Sequence, residues 1–101
     1  MRASVKPKLK REEFANVWDA LEDDPVVAAN LAMRADLMIA LQQRVGTWKV
    51  TQSEAARRLE ITQPRLNDLV RGRIAKFSLD TLVNLATRAD IHVRLRIDKA
   101  A

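Results

Sequence analysis

Side chains that can form paired hydrogen bonds are concentrated between residues 62 and 71. The guanidinium of Arg65 can donate two parallel hydrogen bonds to guanine or to a phosphate, and the amides of Gln63 and Asn67 can pair with adenine. Residues 51–77 carry six basic side chains against three acidic ones, an excess that favours a polyanionic partner. The combination indicates a surface that contacts duplex DNA.

Two short helices must position these side chains. Thr51 followed by Glu54 predicts a capping box at the start of the first helix. Thr62, with Pro64 in the first turn, predicts the start of the second helix, and Gly72 is predicted to end it. The predicted inward-facing residues of the pair are Ala55, Ala56, Leu59, Leu66, Leu69 and Val70.

The break between these two helices, at Glu60 and Ile61, is too short for them to lie antiparallel. They must therefore cross steeply, as in a helix-turn-helix. That geometry pushes the second helix outward as a ridge about as wide as the major groove of DNA.

Two further helices are predicted around this pair. Asp24 as N-cap and Pro25 in the first turn begin a long helix over residues 25–45, with Gly46 as its C-cap. Ser78 begins a later helix. The predicted inward-facing residues are Leu31, Ala35, Met38, Leu41 and Val45 in the first, and Leu79, Leu82, Val83, Ala86 and Ala89 in the second.

The N-terminal region divides by charge. Residues 1–10 are basic and are predicted to form a flexible arm, either solvated or in contact with phosphates or a partner. Residues 11–22 carry an acidic face, and this predicted helix either covers the domain's own core or docks a basic protein. Its apolar side chains recur at helical spacing, at Phe14, Val17, Trp18 and Leu21.

Residues 91–97, "IHVRLRI", alternate strictly between apolar and basic or polar side chains. This period of two predicts a β-strand. Because a lone strand leaves its backbone groups unpaired, it needs a partner strand, either from residues 2–9 or from a second copy across a two-fold axis. We favour the second copy, and the predicted dimerisation residues are Ile91, Val93, Leu95 and Ile97.

Composition limits the classes of function. The 101 residues fit one domain, residues 11–101, after the arm. The absence of cysteine excludes disulfides, thiolate catalysis and cysteine-based zinc sites. His92 is the only histidine and no glycine-rich phosphate loop is present, so we expect no enzyme activity, metal or cofactor. No apolar run has the length of a membrane span and no signal peptide precedes the domain, so we expect a cytoplasmic protein without membrane contact.

The stretch "TQSEAARRLEITQPRLNDLVRGR" resembles the Xre/Cro-type helix-turn-helix family, whose usual pattern is TQ-x-x-x-A-x-x-L-G-[IV]-[ST]-Q-x-x-[IVL]-S-x-x-x-x-G. The matching residues are Thr51, Gln52, Ala56, Leu59, Ile61, Thr62, Gln63, Leu66 and Gly72. The flanking text, at Met33 to Leu41 and in "FSLDTLVNLA" and "IHVRLRI", is similar to the HigA-type antitoxin branch. The resemblance covers roughly residues 14–97.

This resemblance implies a mainly α fold: a compact five-helix, lambda-repressor-like domain whose C-terminal strand is used in dimerisation. Glu60 stands where the family usually has glycine in a turn that often needs a positive φ. Either the turn avoids that conformation, or the fold tolerates a cost on the order of 1 kcal/mol.

The resemblance also implies residue roles. Gln63, Pro64 and Asp68 match positions that face base edges, where Pro64 can touch a thymine methyl and Asp68 can accept from cytosine. With Arg65 and Asn67 they form the predicted base-contacting set. The predicted phosphate contacts are Thr51, Gln52, Thr62, Arg71, Arg73, Lys76 and Ser78. For Arg57 and Arg58 a solvated face fits at least as well.

The implied function is that of a sequence-specific transcriptional repressor that binds a palindromic operator in double-stranded DNA as a homodimer. The antitoxin branch further implies repression of its own operon and neutralisation of a small basic ribonuclease toxin, whose charge the acidic residues 12–24 complement. Two alternatives remain: a stand-alone or phage-type repressor without a toxin, and a protein–protein interaction module with a vestigial DNA motif.

Overall fold

A computed structural model of the protein describes residues 24–99. Within this range the helices are α1 Pro25–Trp48, α2 Gln52–Leu59, α3 Gln63–Val70 and α4 Leu79–Arg88, and a 3₁₀ turn, Ile74–Lys76, lies between α3 and α4. The predicted arm, residues 1–10, and the predicted helix, residues 11–22, lie outside the described residues.

Helix α1 begins where the sequence predicts. The carboxylate of Asp24 accepts hydrogen bonds from the backbone N–H of Val26 at 2.9 Å and of Val27 at 3.4 Å. Pro25 occupies the first turn, where its missing N–H leaves no hydrogen bond unmade. The predicted cap is confirmed.

The predicted end of α1 at Gly46 is wrong. The helix continues to Trp48, and Lys49 ends it in the left-handed conformation with φ 53°. Gly46 lies buried inside the helix. Trp48, one half-turn further, packs against the core, and this burial offsets the low helix propensity of an interior glycine.

The predicted starts of the other three helices are confirmed. The side chains of Thr51, Thr62 and Ser78 each accept a hydrogen bond from the backbone N–H three residues later, at 3.1, 3.2 and 3.1 Å. These caps satisfy amide groups that the helices themselves leave unpaired.

One apolar core joins the four helices. Helix α1 packs along α4, α2 packs against α3, and the 3₁₀ turn closes the space beside α1. The largest apolar side chains with almost no solvent exposure are Met38, Leu41, Leu59, Leu66, Leu69, Ile74, Phe77, Leu82 and Leu85. Each contributes roughly 1.5–3 kcal/mol of hydrophobic free energy, so the positions of α2 and α3 are fixed by burial.

The fold differs from the expected five-helix domain with a C-terminal strand. Between residues 24 and 99 four α-helices and no β-strand are seen, and the fifth predicted helix, residues 11–22, lies outside this range. Residues 91–97 therefore do not form the predicted strand. Leu95 and Ile97 are 80% and 84% exposed, whereas Ile91 packs against the core. An alternating pattern places side chains on two sides, but a strand also requires a neighbour for its backbone groups, and the described residues supply none.

Candidate nucleic-acid interface

The turn between α2 and α3 sets how α3 projects from the domain. Glu60 adopts the left-handed conformation with φ 59° and ψ 42°, so this fold accepts a side chain where the resembled family usually has glycine. The backbone N–H of Glu60 donates to Arg57 O and that of Ile61 donates to Ala56 O, at 3.1 and 3.0 Å. These bonds end α2 abruptly, and Thr62 starts α3 one residue later.

Helix α3 has one buried side and one outward side. Leu66 and Leu69 are fully buried against the core. At about 100° per residue, Pro64, Asn67 and Arg71 lie on the opposite side of the helix. Pro64 and Arg71 are exposed and Asn67 is half-buried. We refer to these three residues as the outward strip.

Two polar groups extend the outward strip. Gln63 is exposed at the first position of α3. The Nε of Arg71 donates to the Oδ1 of Asn67 at 3.3 Å, which orients both side chains on one side of the helix. Arg71 therefore lies among the residues predicted to contact bases, although its sequence pattern placed it among the phosphate contacts.

Asp68 forms its polar contacts with other residues of the same domain. Its carboxylate accepts a hydrogen bond from Arg73 Nη1 at 3.1 Å and lies 3.9 Å from Lys76 Nζ, and its side chain is only 16% exposed. The backbone N–H of Arg73 also donates to Asp68 O at 3.0 Å. Asp68 thus ties the loop after α3 to the helix and draws two basic side chains to one flank.

Arg65 also lies on this flank rather than on the outward strip. Its guanidinium carbon is 4.1 Å from the centroid of the Phe77 ring, a cation–π contact. Ser78, the next residue along the chain, is exposed and caps α4. The flank therefore gathers four of the predicted contacts with DNA, Arg65, Arg73, Lys76 and Ser78.

Three predicted phosphate contacts remain, and all are exposed: Thr51 and Gln52 lie at the start of α2, and Thr62 lies at the start of α3. The predicted capping box is only half formed, because Thr51 Oγ1 accepts from Glu54 N but the Glu54 carboxylate turns to arginine. It accepts from Arg57 at 3.0 and 2.6 Å and from Arg58 at 3.1 Å. These hydrogen bonds, that from Arg57 first, lower the pKa of Glu54 from 4.5 to about 2.

A buried amide that the sequence reading missed holds the end of α3. Gln42 in α1 has no solvent exposure, and its Nε2 donates to Leu69 O at 3.0 Å and to Val70 O at 3.1 Å. These carbonyls belong to the last turn of α3, where they have no partner four residues later, although Leu69 O also accepts from Gly72 N at 3.0 Å. Gln42 therefore fixes where the C-terminal end of the helix lies.

Arg34, one further residue missed by the sequence reading, holds the loop that follows. Its Nη1 donates to Ile74 O and to Phe77 O, both at 3.3 Å. A sequence signal existed for both side chains. Arg34, Met38 and Gln42 are spaced by four, so two polar residues lie beside an apolar one on the inward stripe of α1.

Residues 24–99 contain no group of three acidic, histidine or cysteine side chains that could hold a metal ion. In the same range, no helix combines the length and apolar character needed to cross a lipid bilayer.

Comparison with known proteins agrees with this geometry. A family model described as a helix-turn-helix domain matches residues 20–98, which include all four helices and the segment that follows them. A search of curated proteins found no match. The capped pair α2 and α3, with α3 projecting its polar side outward, is the unit that such a domain uses on DNA. The chain therefore belongs to the helix-turn-helix domain family.

Proposed function

We propose that this protein is a sequence-specific transcriptional repressor that inserts α3 into the major groove of operator DNA. The observation that carries the proposal is the outward strip of α3, which presents amide and guanidinium groups while Leu66 and Leu69 lock the opposite side into the core. Gln63, Pro64, Asn67 and Arg71 are then placed to meet base edges.

Contacts on both sides of α3 would hold the backbone of the DNA. The exposed residues Thr51 and Gln52 lie at the start of α2, and the flank with Arg73, Lys76 and Ser78 follows α3 in the chain. Thr62 adds the N-terminal amides of α3. Asp68, which is paired with Arg73, contributes to recognition by ordering that flank rather than by receiving a base.

A selection of binding sequences from genomic fragments, followed by footprinting, tests the proposal. We expect protection of a short palindrome, an affinity that falls with salt by a slope of about 0.9 per phosphate contact, and loss of discrimination when Asn67 is replaced by alanine. A matched control is Asn84→Ala, an exposed asparagine on α4, which should leave the preference unchanged. Equal affinity for all sequences would contradict specific recognition.

We further propose that the protein binds as a homodimer through its C-terminal apolar side chains. Val93, Leu95 and Ile97 are exposed, which is costly for residues of this size unless a partner covers them. Two open grooves meet at Ile91, one lined by Val83, Thr87 and His92 and the other by Ala40, Gln43 and Thr47. Side chains from a second copy can fill these grooves.

Light scattering after size-exclusion chromatography tests the dimer. Leu95→Asp should convert a dimer to a monomer and weaken operator binding, because each half-site then binds alone. Val26→Asp is the matched control, since Val26 is 77% exposed at the far end of α1 and the change in charge and size is similar. A wild-type protein that is monomeric at micromolar concentration would contradict the proposal.

The antitoxin role is the most specific part of the proposed function. Its support is the acidic character of residues 12–24, which complements a small basic ribonuclease, together with the resemblance to antitoxins of the HigA type. The test is co-purification with the product of the adjacent reading frame. A neighbour that encodes a basic protein and co-elutes with this chain supports the role, and separate elution would leave a stand-alone repressor.

A further inference from the structure

The contact between Arg65 and Phe77 restricts what Arg65 can bind. The guanidinium carbon lies over the ring, 4.1 Å from its centroid. One side of the guanidinium therefore faces the ring. Its N–H groups form no hydrogen bond with the described part of the chain, whereas the Nη1 of its flank neighbour Arg73 donates to Asp68.

The ring beneath Arg65 is a fixed platform. Phe77 is 1% exposed and belongs to the core. Its carbonyl accepts from Arg34 at 3.3 Å, and its backbone N–H donates to Ile74 O at 3.2 Å. Because both ends of this residue are held, the orientation of the ring is transmitted to the guanidinium of Arg65.

The position of Arg65 on α3 separates it from base edges. At about 100° per residue it lies roughly 120° around the helix from the centre of the outward strip. When the outward strip faces the floor of the major groove, a side chain at that angle faces the groove wall, which is sugar and phosphate. Arg73 and Lys76 lie on the same flank, where Asp68 holds them.

We propose that Arg65 binds a backbone phosphate, not a base, and that Phe77 is the positioning residue that holds it ready. The inference rests on the proposed DNA binding and goes further by assigning this side chain to sequence-independent recognition. The ligand is a phosphodiester oxygen on one strand beside the bases that α3 contacts.

The first test compares two duplexes of equal length, the best sequence selected by the wild-type protein and a random sequence. Arg65→Ala should lower affinity for both by a similar factor, roughly tenfold, and reduce the salt slope by about 0.9. Arg65→Lys should retain the slope, since it retains the charge. The selected consensus should be unchanged for both variants.

The second test asks whether Phe77 acts through Arg65. Phe77→Leu should weaken binding in the wild-type background but cause little further loss in the Arg65→Ala background. A merely structural role for Phe77 would weaken both backgrounds equally. In the unaltered protein, the side-chain protons of Arg65 should show ring-current shifts in NMR spectra, a readout that does not depend on whether Phe77→Leu folds.

The outcomes separate this inference from the proposed function. Suppose that Arg65→Ala relaxes the preference at one base position but lowers the affinity for random DNA only slightly. Arg65 then reads a base and the inference fails, although the repressor proposal stands. If the losses from Arg65→Ala and Phe77→Leu are additive, or ring-current shifts are absent, the positioning role fails. If the wild-type protein binds no duplex, both proposals fail.

Discussion

Two amphipathic segments of this protein differ in how far their apolar side chains are buried. Helix α3 and residues 91–97 both combine apolar residues with polar and basic ones in a regular pattern. In α3, Leu66 and Leu69 are fully buried and α1 bonds the helix end through Gln42. In the C-terminal segment, Leu95 and Ile97 are at least 80% exposed.

The difference teaches that a pattern becomes a structure only when a partner is present. Helix α3 bonds its own backbone and finds its apolar partner in α1 and α2 of the same chain. Beyond Ile91, which packs against the core, residues 92–97 are exposed in the described part of the chain. Helix α3 is therefore positioned within a single chain, whereas in the proposed dimer the apolar side chains of the second segment are covered by another copy.

The largest expected effect comes from placing a charge at the buried anchor of α3. Gln42→Glu keeps the size of the side chain but faces the carbonyls of Leu69 and Val70 with a carboxylate. We expect a loss of about 3–5 kcal/mol in the free energy of unfolding at pH 7, measured by urea denaturation. Gln43→Glu, at the exposed neighbouring position, should change stability by less than about 0.5 kcal/mol.

The pH dependence of that variant checks the cause. Burial raises the pKa of a carboxyl group, so the new acid is neutral in the folded state at low pH. Its destabilising effect should therefore shrink as the pH falls below that raised pKa, relative to the wild-type protein. A loss that is the same at pH 5 and pH 8 would indicate a packing defect instead of a buried charge.

A matched pair of leucines tests the comparison directly. Leu69→Ala removes a fully buried side chain and should cost about 2–5 kcal/mol of the free energy of unfolding. Leu95→Ala removes an exposed one and should cost less than about 0.5 kcal/mol at concentrations where the protein is monomeric. A large cost for Leu95→Ala under those conditions would show that the segment packs within its own chain.

A smaller effect is expected at the turn before α3. Glu60→Gly relieves the left-handed conformation of a residue with a β-carbon, and should be more stable than Glu60→Ala by about 1 kcal/mol in thermal or urea unfolding. Alanine is the matched control because both variants lose the 3.8 Å ion pair between Glu60 and Arg88. Equal stability of the two variants would mean that the turn relaxes without strain.

The comparison also explains what could be read from the sequence. Caps are local, so Asp24, Thr51, Thr62 and Ser78 were predictable from residue type and spacing. The end of α1 was not predictable in this way. Gly46 favours a helix end, but the burial of Trp48 against the core, a tertiary effect, outweighs that preference. The predicted strand over residues 91–97 was wrong for the same reason, because strand pairing depends on residues that are distant in the sequence.

The candidate site shows the same division. Leu66 and Leu69 are buried as predicted, which turns the polar side of α3 outward. The positions of Arg65 and Asp68 were not predictable, because their partners Phe77 and Arg73 come from the loop after the helix. Helix periodicity predicts which side of the helix a residue occupies. It does not predict the long-range contacts that redirect a long side chain.

The smallest effect concerns acid titration at the start of α2, where the polar contacts are exposed rather than anchored in the core. Hydrogen bonds from Arg57 and then Arg58 lower the pKa of Glu54 to about 2. Because the folded pKa is depressed, this contribution to stability is fully present above pH 4.5 and is lost as the pH falls toward 2.

Carboxyl-carbon NMR should show a low titration midpoint for Glu54, which rises more in Arg57→Ala than in Arg58→Ala. The accompanying change in unfolding free energy should be slight, since solvent screens exposed ion pairs. An equal rise in both variants would mean that Arg57 is not the principal partner, and a normal midpoint in the wild-type protein would mean that the arginines are solvated and free to meet phosphate.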